Sequence, residues 1–105
     1  MKHCTPKDLL QGRAPAEAQY IDVREPEELV EIAWPLFAPM PMSDLQGTWQ
    51  QLDRNRPVVI LCRSGRRSEN CGLFLESKGF GEVWNVDGGI LQAEADGAPV
   101  VFNQE

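Results

Sequence analysis

Cys62-Arg63-Ser64-Gly65-Arg66-Arg67-Ser68 holds the residues of this chain whose types and spacing suit covalent chemistry. The apolar run Pro57-Val58-Val59-Ile60-Leu61 before it reads as a buried strand, and a helical pattern after it runs to about Lys78. A cysteine at the C-terminal end of a strand, then a short glycine-containing loop, then a helix start, describes an anion cradle. Loop amides and the helix N-terminus point into one small volume. Three of the ten Lys and Arg residues stand in this loop, although the net charge of the chain is −6. That local reversal of sign favours a thiolate beside an anionic substrate. Cys62 as a mere small apolar side chain is the weaker reading, since three arginines and a glycine follow it at once.

The elements that must position this loop alternate along the chain. Thr5-Pro6 resembles an N-cap and first helical position of a short helix ending near Gly12. Tyr20-Ile21-Asp22-Val23 reads as a strand, and Glu25 to Glu31 as a helix whose start carries Pro26 and acids. Phe37 to Met40 suggests a short strand, and Ser43 a cap for a helix through Leu52 with Leu45, Trp49 and Leu52 on one face. After the loop, Cys71, Phe74 and Leu75 share a helix face, and Gly79 ends that helix. Val83 to Val86 is a further strand, Asp87-Gly88-Gly89-Ile90 opens a last helix, and Pro99 to Phe102 suggests an edge strand. Alternating strands and helices predict an α/β fold with a mainly parallel central sheet and helices on both faces. Ligands of such folds sit at the C-terminal ends of strands, where Cys62 stands.

Length and composition fit one soluble domain over residues 1–105, with 42% apolar and 25% charged residues. The acidic balance argues against nucleic acid or an anionic membrane surface as partner. The longest apolar stretch, Ile32 to Met42, is too short to span a bilayer and holds Pro35, Pro39 and Pro41. With no signal-peptide pattern at its start, the chain reads as cytoplasmic. Cys4, Cys62 and Cys71 form neither a disulfide framework nor a metal spacing. Cys71 reads as core packing rather than a resolving thiol, and Cys4, near an end expected to fray, has no assigned role. His3 reads as a strand-end or surface histidine, and pairs with Cys62 only if the N-terminus folds back onto the loop.

Three segments together carry a family resemblance. Tyr20-Ile21-Asp22-Val23-Arg24-Glu25-Pro26-Glu27-Glu28 resembles the amino-terminal signature of single-domain rhodaneses, thiosulfate sulfurtransferase-like proteins. Val59 to Ser68 resembles their active loop, and Val86-Asp87-Gly88-Gly89-Ile90 their third signature. The resemblance spans nearly the whole chain, in order, and implies a rhodanese-like fold. It departs at Ile32-Ala33-Trp34-Pro35-Leu36-Phe37-Ala38, where the family usually has Gly-His-Ile followed by Gly-Ala. It departs again at Gln92-Ala93, where the family often has Ala-Trp.

The resemblance implies that Cys62 is the nucleophile and carries sulfane sulfur as a persulfide. Arg63, Ser64, Gly65, Arg66 and Arg67 then form the substrate cradle, with Arg63 and Arg66 drawing in the anion and Arg67 bracing the loop. Asp22, Arg24, Ser68, Gly88 and Gly89 give structural support. The donor implied is thiosulfate or another persulfide, and the acceptor cyanide or a thiol, including a protein thiol. No metal or organic cofactor is implied. The C-x4-R spacing from Cys62 to Arg67 is one residue shorter than the C-x5-R of related phosphatases and arsenate reductases, which suits a single outer sulfur atom. Two other readings stay open. One is a non-catalytic binding module, favoured if Trp34 to Met42 forms an exposed apolar patch. The other is phosphatase or arsenate reductase chemistry on the same fold.

Overall fold

The structure, a computed structural model, describes residues 1–102. Five strands form one parallel sheet: β1 (Lys2–Cys4), β2 (Gln19–Asp22), β4 (Ala38–Pro39), β5 (Val58–Leu61) and β6 (Val83–Val86), in the order β1-β6-β5-β2-β4. The expected α/β architecture is thus the observed one. β5 is central and wholly buried, as its unbroken apolar sequence requires of a strand covered on both faces. Alternation sends Val58, Ile60 and Cys62 into one core cluster and Val59 and Leu61 into the other.

The first face is covered by α4 (Arg66–Ser77), through Cys71 and Leu75, and by the short α3 (Leu45–Thr48), through Leu45. The second is covered by α5 (Gly89–Ala95), through Ile90 and Ala93, with Leu9 of α1 (Pro6–Leu10) packed alongside. Thr5 caps α1 as expected, accepting from the Asp8 amide at 3.2 Å while the Asp8 carboxylate accepts from the Thr5 amide at 2.9 Å. Gly79, at φ 95°, ends α4.

Three expectations need correction. β1 carries no strand signal, yet it pairs with β6 from Lys2↔Trp84 to Cys4↔Val86, so the N-terminus is anchored and Cys4 is buried rather than frayed. Ser43 caps no helix: its hydroxyl donates to Glu25 Oε1 at 2.7 Å, and the segment breaks into 3-10 turns at Met42–Asp44 and Trp49–Gln51 around α3. Leu45, Trp49 and Leu52 still face the core. The C-terminal strand β7 (Val101–Phe102) does not edge the main sheet but pairs antiparallel with β3 (Ile32–Ala33) as a separate ribbon. Within the divergent segment, Trp34 and Phe37 turn into the core, each 4% exposed, and Phe37 packs tilted against Trp34 and edge-on against Tyr20. The rest of the segment from Trp34 to Met42 stays at the surface, where Pro35, Leu36, Ala38, Pro39 and Met42 are exposed apolar residues.

One buried ion pair joins the sheet to α2 (Pro26–Glu31). Asp22, at the end of β2, accepts from the Arg24 amide at 3.0 Å and from Arg24 Nη2 at 2.9 Å, with Arg24 Nε bridging both of its oxygens. The remaining guanidinium donors reach the carbonyls of Glu28 at 3.3 Å and Ile32 at 2.8 Å, where α2 ends. Both residues are 1% exposed, so removing one partner leaves an unpaired buried charge. Arg24→Met is expected to lower unfolding free energy in urea by about 3–5 kcal/mol. A loss below about 1 kcal/mol would mean that the pair behaves like an exposed one.

Candidate active site

Cys62 leaves β5 at its C-terminal end and is 1% exposed. The loop turns at Gly65, whose φ of 103° is left-handed and which caps the N-terminus of α4. This turn brings the Gly65 N–H to 2.9 Å from Cys62 Sγ. The Ser68 hydroxyl lies 3.4 Å from the same sulfur. Burial pushes the Cys62 thiol up, but the Ser68 hydroxyl and the amides of Ser68, Gly65 and Ser64 outweigh it, so its pKa falls below that of an ordinary thiol. The twelve residues of α4 point their positive dipole end at the same place. The amides that favour the thiolate are those of Ser64, Gly65 and Ser68, with the Gly65 N–H the one in direct hydrogen-bond contact with the sulfur.

The other two thiols face opposite conditions. Burial raises Cys71 to about 11, with the charge of nearby Cys62 adding to it. Burial, together with Asp8 and Asp87, raises Cys4 to about 11 as well. Cys71 packs among core residues beside Leu75, where its helical spacing puts it.

Gly88 and Gly89 hold the loop from the other side. Gly89 has φ 58°, and a Cβ there would stand 2.4 Å from the carbonyl oxygens of both Cys62 and Arg63. Only a glycine lets the two backbones approach so closely. The Ile90 and Leu91 amides then donate to those carbonyls at 2.9 and 3.3 Å. Gly65 is confined less severely, since a Cβ there would meet the Gly88 amide nitrogen at 3.3 Å, and its φ of 103° favours glycine in its own right.

The three arginines separate. Arg63 and Arg66 are exposed, and neither has an ion pair among the described residues. Arg67 instead reaches across to α2, donating from Nη1 and Nη2 to the two Glu28 carboxylate oxygens, each at 2.7 Å. Arg67 holds the Glu28 carboxyl down to about 2. Sequence reasoning missed Glu28 as this partner; its only signal is its place in the Glu-Pro-Glu-Glu segment.

It also missed Asn85. This side chain, 2% exposed in β6, accepts the Ser68 hydroxyl proton at Oδ1 and donates from Nδ2 to Asp87 Oδ1 at 2.9 Å. The available signal is an amide in the otherwise apolar strand Val83-Trp84-Asn85-Val86. His3 comes not to the thiol but to the outer end of these contacts, with Nδ1 2.8 Å from Asp87 Oδ1. Among the described residues, no group of three or more His, Cys, Asp or Glu is placed to hold a metal, and no helix is long and apolar enough to cross a membrane.

A strand-end cysteine held by loop amides at a helix start, with a double-glycine turn packed on its backbone, defines a class of thiol site. Residues 5–96 match the rhodanese-like domain family, and the chain belongs to it. YtwF of Bacillus subtilis, whose name marks it only as a candidate sulfurtransferase, is 38% identical over 86 residues, 82% of each chain. A sulfurtransferase of Allochromatium vinosum is 35% identical over 81 residues, 77% of this chain and 76% of its own length. The crystal structure of a rhodanese-related protein from Thermoplasma volcanium superposes with a TM-score of 0.84, at 30% identity and with all of both chains covered.

Two measurements follow from this geometry. Iodoacetamide at neutral pH is expected to label Cys62 well before Cys4 or Cys71, with a pH midpoint below about 8.5; a midpoint at or above that value would mean the amides do not hold a thiolate. The Glu28–Arg67 bridge is expected to stabilise fully above the ordinary carboxyl value of 4.5 and to lose its effect as pH falls towards about 2. Each side chain is nearly a third exposed, so Glu28→Gln should lose only on the order of 1 kcal/mol at neutral pH. That deficit should vanish at the acid end of urea titrations; a deficit constant from neutral to acid pH would assign it to packing instead.

Proposed function

We propose that this chain is a sulfurtransferase that carries one sulfur atom on Cys62. The observation that carries this reading is the placement of Sγ at the head of α4 with the Gly65 amide 2.9 Å away. The same donors that favour a thiolate favour the terminal anion of a persulfide. In the first step the Cys62 thiolate attacks the outer sulfur of thiosulfate. A new S–S bond forms to Cys62, the old one breaks, and its electron pair leaves with sulfite. In the second step an acceptor such as cyanide or a thiolate attacks the terminal sulfur, and Cys62 leaves as thiolate. The cycle is covalent catalysis with ping-pong kinetics and needs no external redox partner.

Arg63 and Arg66, exposed and uncommitted, suit the attraction of a small dianion. Arg67, committed to Glu28, suits bracing of the loop. Trp34 and Phe37 are buried, but Leu36 and Met42 of the same segment are exposed, so a binding module remains the second reading, favoured if thiosulfate leaves no sulfur on the folded protein.

Incubation with thiosulfate, followed by mass spectrometry, is expected to add one sulfur atom to the peptide holding Cys62. Cys62→Ser should abolish both the adduct and thiosulfate:cyanide turnover, because a hydroxyl is a poor nucleophile for sulfane sulfur. Cys71→Ser should keep turnover and lose some stability, as a hydroxyl enters apolar packing. Persisting turnover in Cys62→Ser would sink the proposal, and turnover of a phosphate ester without a sulfur adduct would replace it with hydrolysis.

The arginines provide a further test. Arg63→Ala and Arg66→Ala are expected to raise KM for thiosulfate more than they lower kcat, and high salt should imitate them. Arg67→Ala should lower kcat, because it loosens the cradle. Unchanged kinetics in all three would point to a bulkier persulfide donor.

A further inference from the structure

Four polar side chains are buried among the described residues: Asp22, Arg24, Ser68 and Asn85. The first two satisfy one another. Ser68 touches the reactive sulfur, but Asn85 has no part in the chemistry above, although it is Ser68's other partner. A hydroxyl has one proton, and Ser68 stands between two groups that accept it, Cys62 Sγ and Asn85 Oδ1.

While Cys62 is a thiol, every contact is satisfied. The S–H donates to Ser68 Oγ, Ser68 donates to Asn85 Oδ1, and Asn85 Nδ2 donates to the Asp87 carboxylate. When the proton leaves, the thiolate can only accept, so the Ser68 O–H must turn towards it. Asn85 Oδ1 is then a buried acceptor without a donor. Asn85 could repair this by exchanging the ends of its amide, offering Nδ2 to Ser68. Asp87 opposes the exchange, because it would set Asn85 Oδ1 against the carboxylate oxygen, and a carboxylate has no proton to give. His3 Nδ1 occupies the same Asp87 oxygen at 2.8 Å from outside.

We propose that Asn85 and Asp87 are positioning residues that fix the direction of the Ser68 hydroxyl and thereby limit how readily Cys62 ionises. A thiol that ionises too readily is a weak nucleophile, and one that ionises too reluctantly is a poor leaving group. Cys62 must be each in turn, and this relay balances the donors that favour the thiolate. The proposal depends on Cys62 as the reacting thiol, not on sulfur as its cargo. Alkylation reads the thiolate directly, so the result would stand even if sulfur transfer failed.

Asp87→Asn is the informative change. The new amide can donate to Asn85 Oδ1 after the exchange, so all donors then run inwards to the sulfur. The iodoacetamide midpoint of Cys62 is expected to fall by roughly half to one pH unit, the equivalent of one hydrogen bond. Other groups that face Cys62 or the relay stay in place: Arg67 and Cys71 on α4, and His3 and Cys4 on β1, while Arg63 and Arg66 of the loop are exposed. A purely through-space action of the Asp87 charge would also lower the midpoint on its removal, and two comparisons distinguish that cause from the relay. In an Asn85→Leu or a Ser68→Ala background, Asp87→Asn should leave the midpoint unmoved, because the relay is already cut. In the single variant the fall should be the same at low and high salt, since Asp87 is half exposed and a through-space effect would be screened. A fall that survives in the cut backgrounds, one that fades with salt, or no fall at all would overturn the proposal. The salt comparison needs only the exposed substitution, so it decides the matter even if the buried variants do not fold.

Discussion

The buried pair of Asp22 and Arg24 is the contact on which the rest of the site's support depends. Two charges at 1% exposure are tolerable only because every nitrogen of the guanidinium finds an acceptor. Arg24 meets that condition by gripping the carbonyls where α2 ends, which fixes how α2 leaves the sheet. Glu28 then sits on α2 facing α4, and its carboxylate holds Arg67 at the start of that helix. On the opposite side the loop is held without charge, by the close backbone contact of Gly89 with Cys62 and Arg63. The nucleophile is thus clamped between an ion-pair chain and a glycine contact, neither of which touches its sulfur.

The three cysteines show how far position, rather than residue type, decides reactivity. All three are buried, and burial alone raises a thiol's pKa. Cys4 and Cys71 receive that effect with acidic or anionic neighbours added. Cys62 receives it too, but stands where one helix begins and loop amides converge, so hydrogen bonds reverse the direction. Helix α4 places Cys71 toward the core and the amides at its own start toward Cys62, so one element both buries a silent thiol and prepares a reactive one.

Much of this was legible in the sequence because local patterns coincide with tertiary roles. β5 is apolar on both faces because both are covered, and Thr5-Pro6 and Gly79 mark helix ends by their own backbone preferences. Glycines 88 and 89 signalled a close approach, though not to which carbonyls. What stayed hidden depends on partners distant in the chain. Lys2-His3-Cys4 has no strand pattern, since it is an edge strand with one buried residue and its order comes from β6. Ser43 is a good cap by type, but Glu25 claims its hydroxyl. The Arg67–Glu28 bridge spans 39 positions, and the role of Asn85 depends on a serine 17 positions earlier. No local window contains either pair.

The contact of Gly89, Ile90 and Leu91 with the carbonyls of Cys62 and Arg63 also sets an order of events in biosynthesis. The chain emerges from the ribosome N-terminus first, and Cys62 appears well before the residues that close its loop. Until Val86 is free, β1 has no complete β6 to pair with, and until Leu91 is free the two loop carbonyls lack their partners. The nascent domain therefore exposes an ordinary thiol on an unfinished sheet, with a hydroxyl and amides not yet aimed at it. Reactivity arrives late, with the pairing that adds β6 and β1 to the sheet, so a truncated or stalled chain holds the nucleophile without its activation.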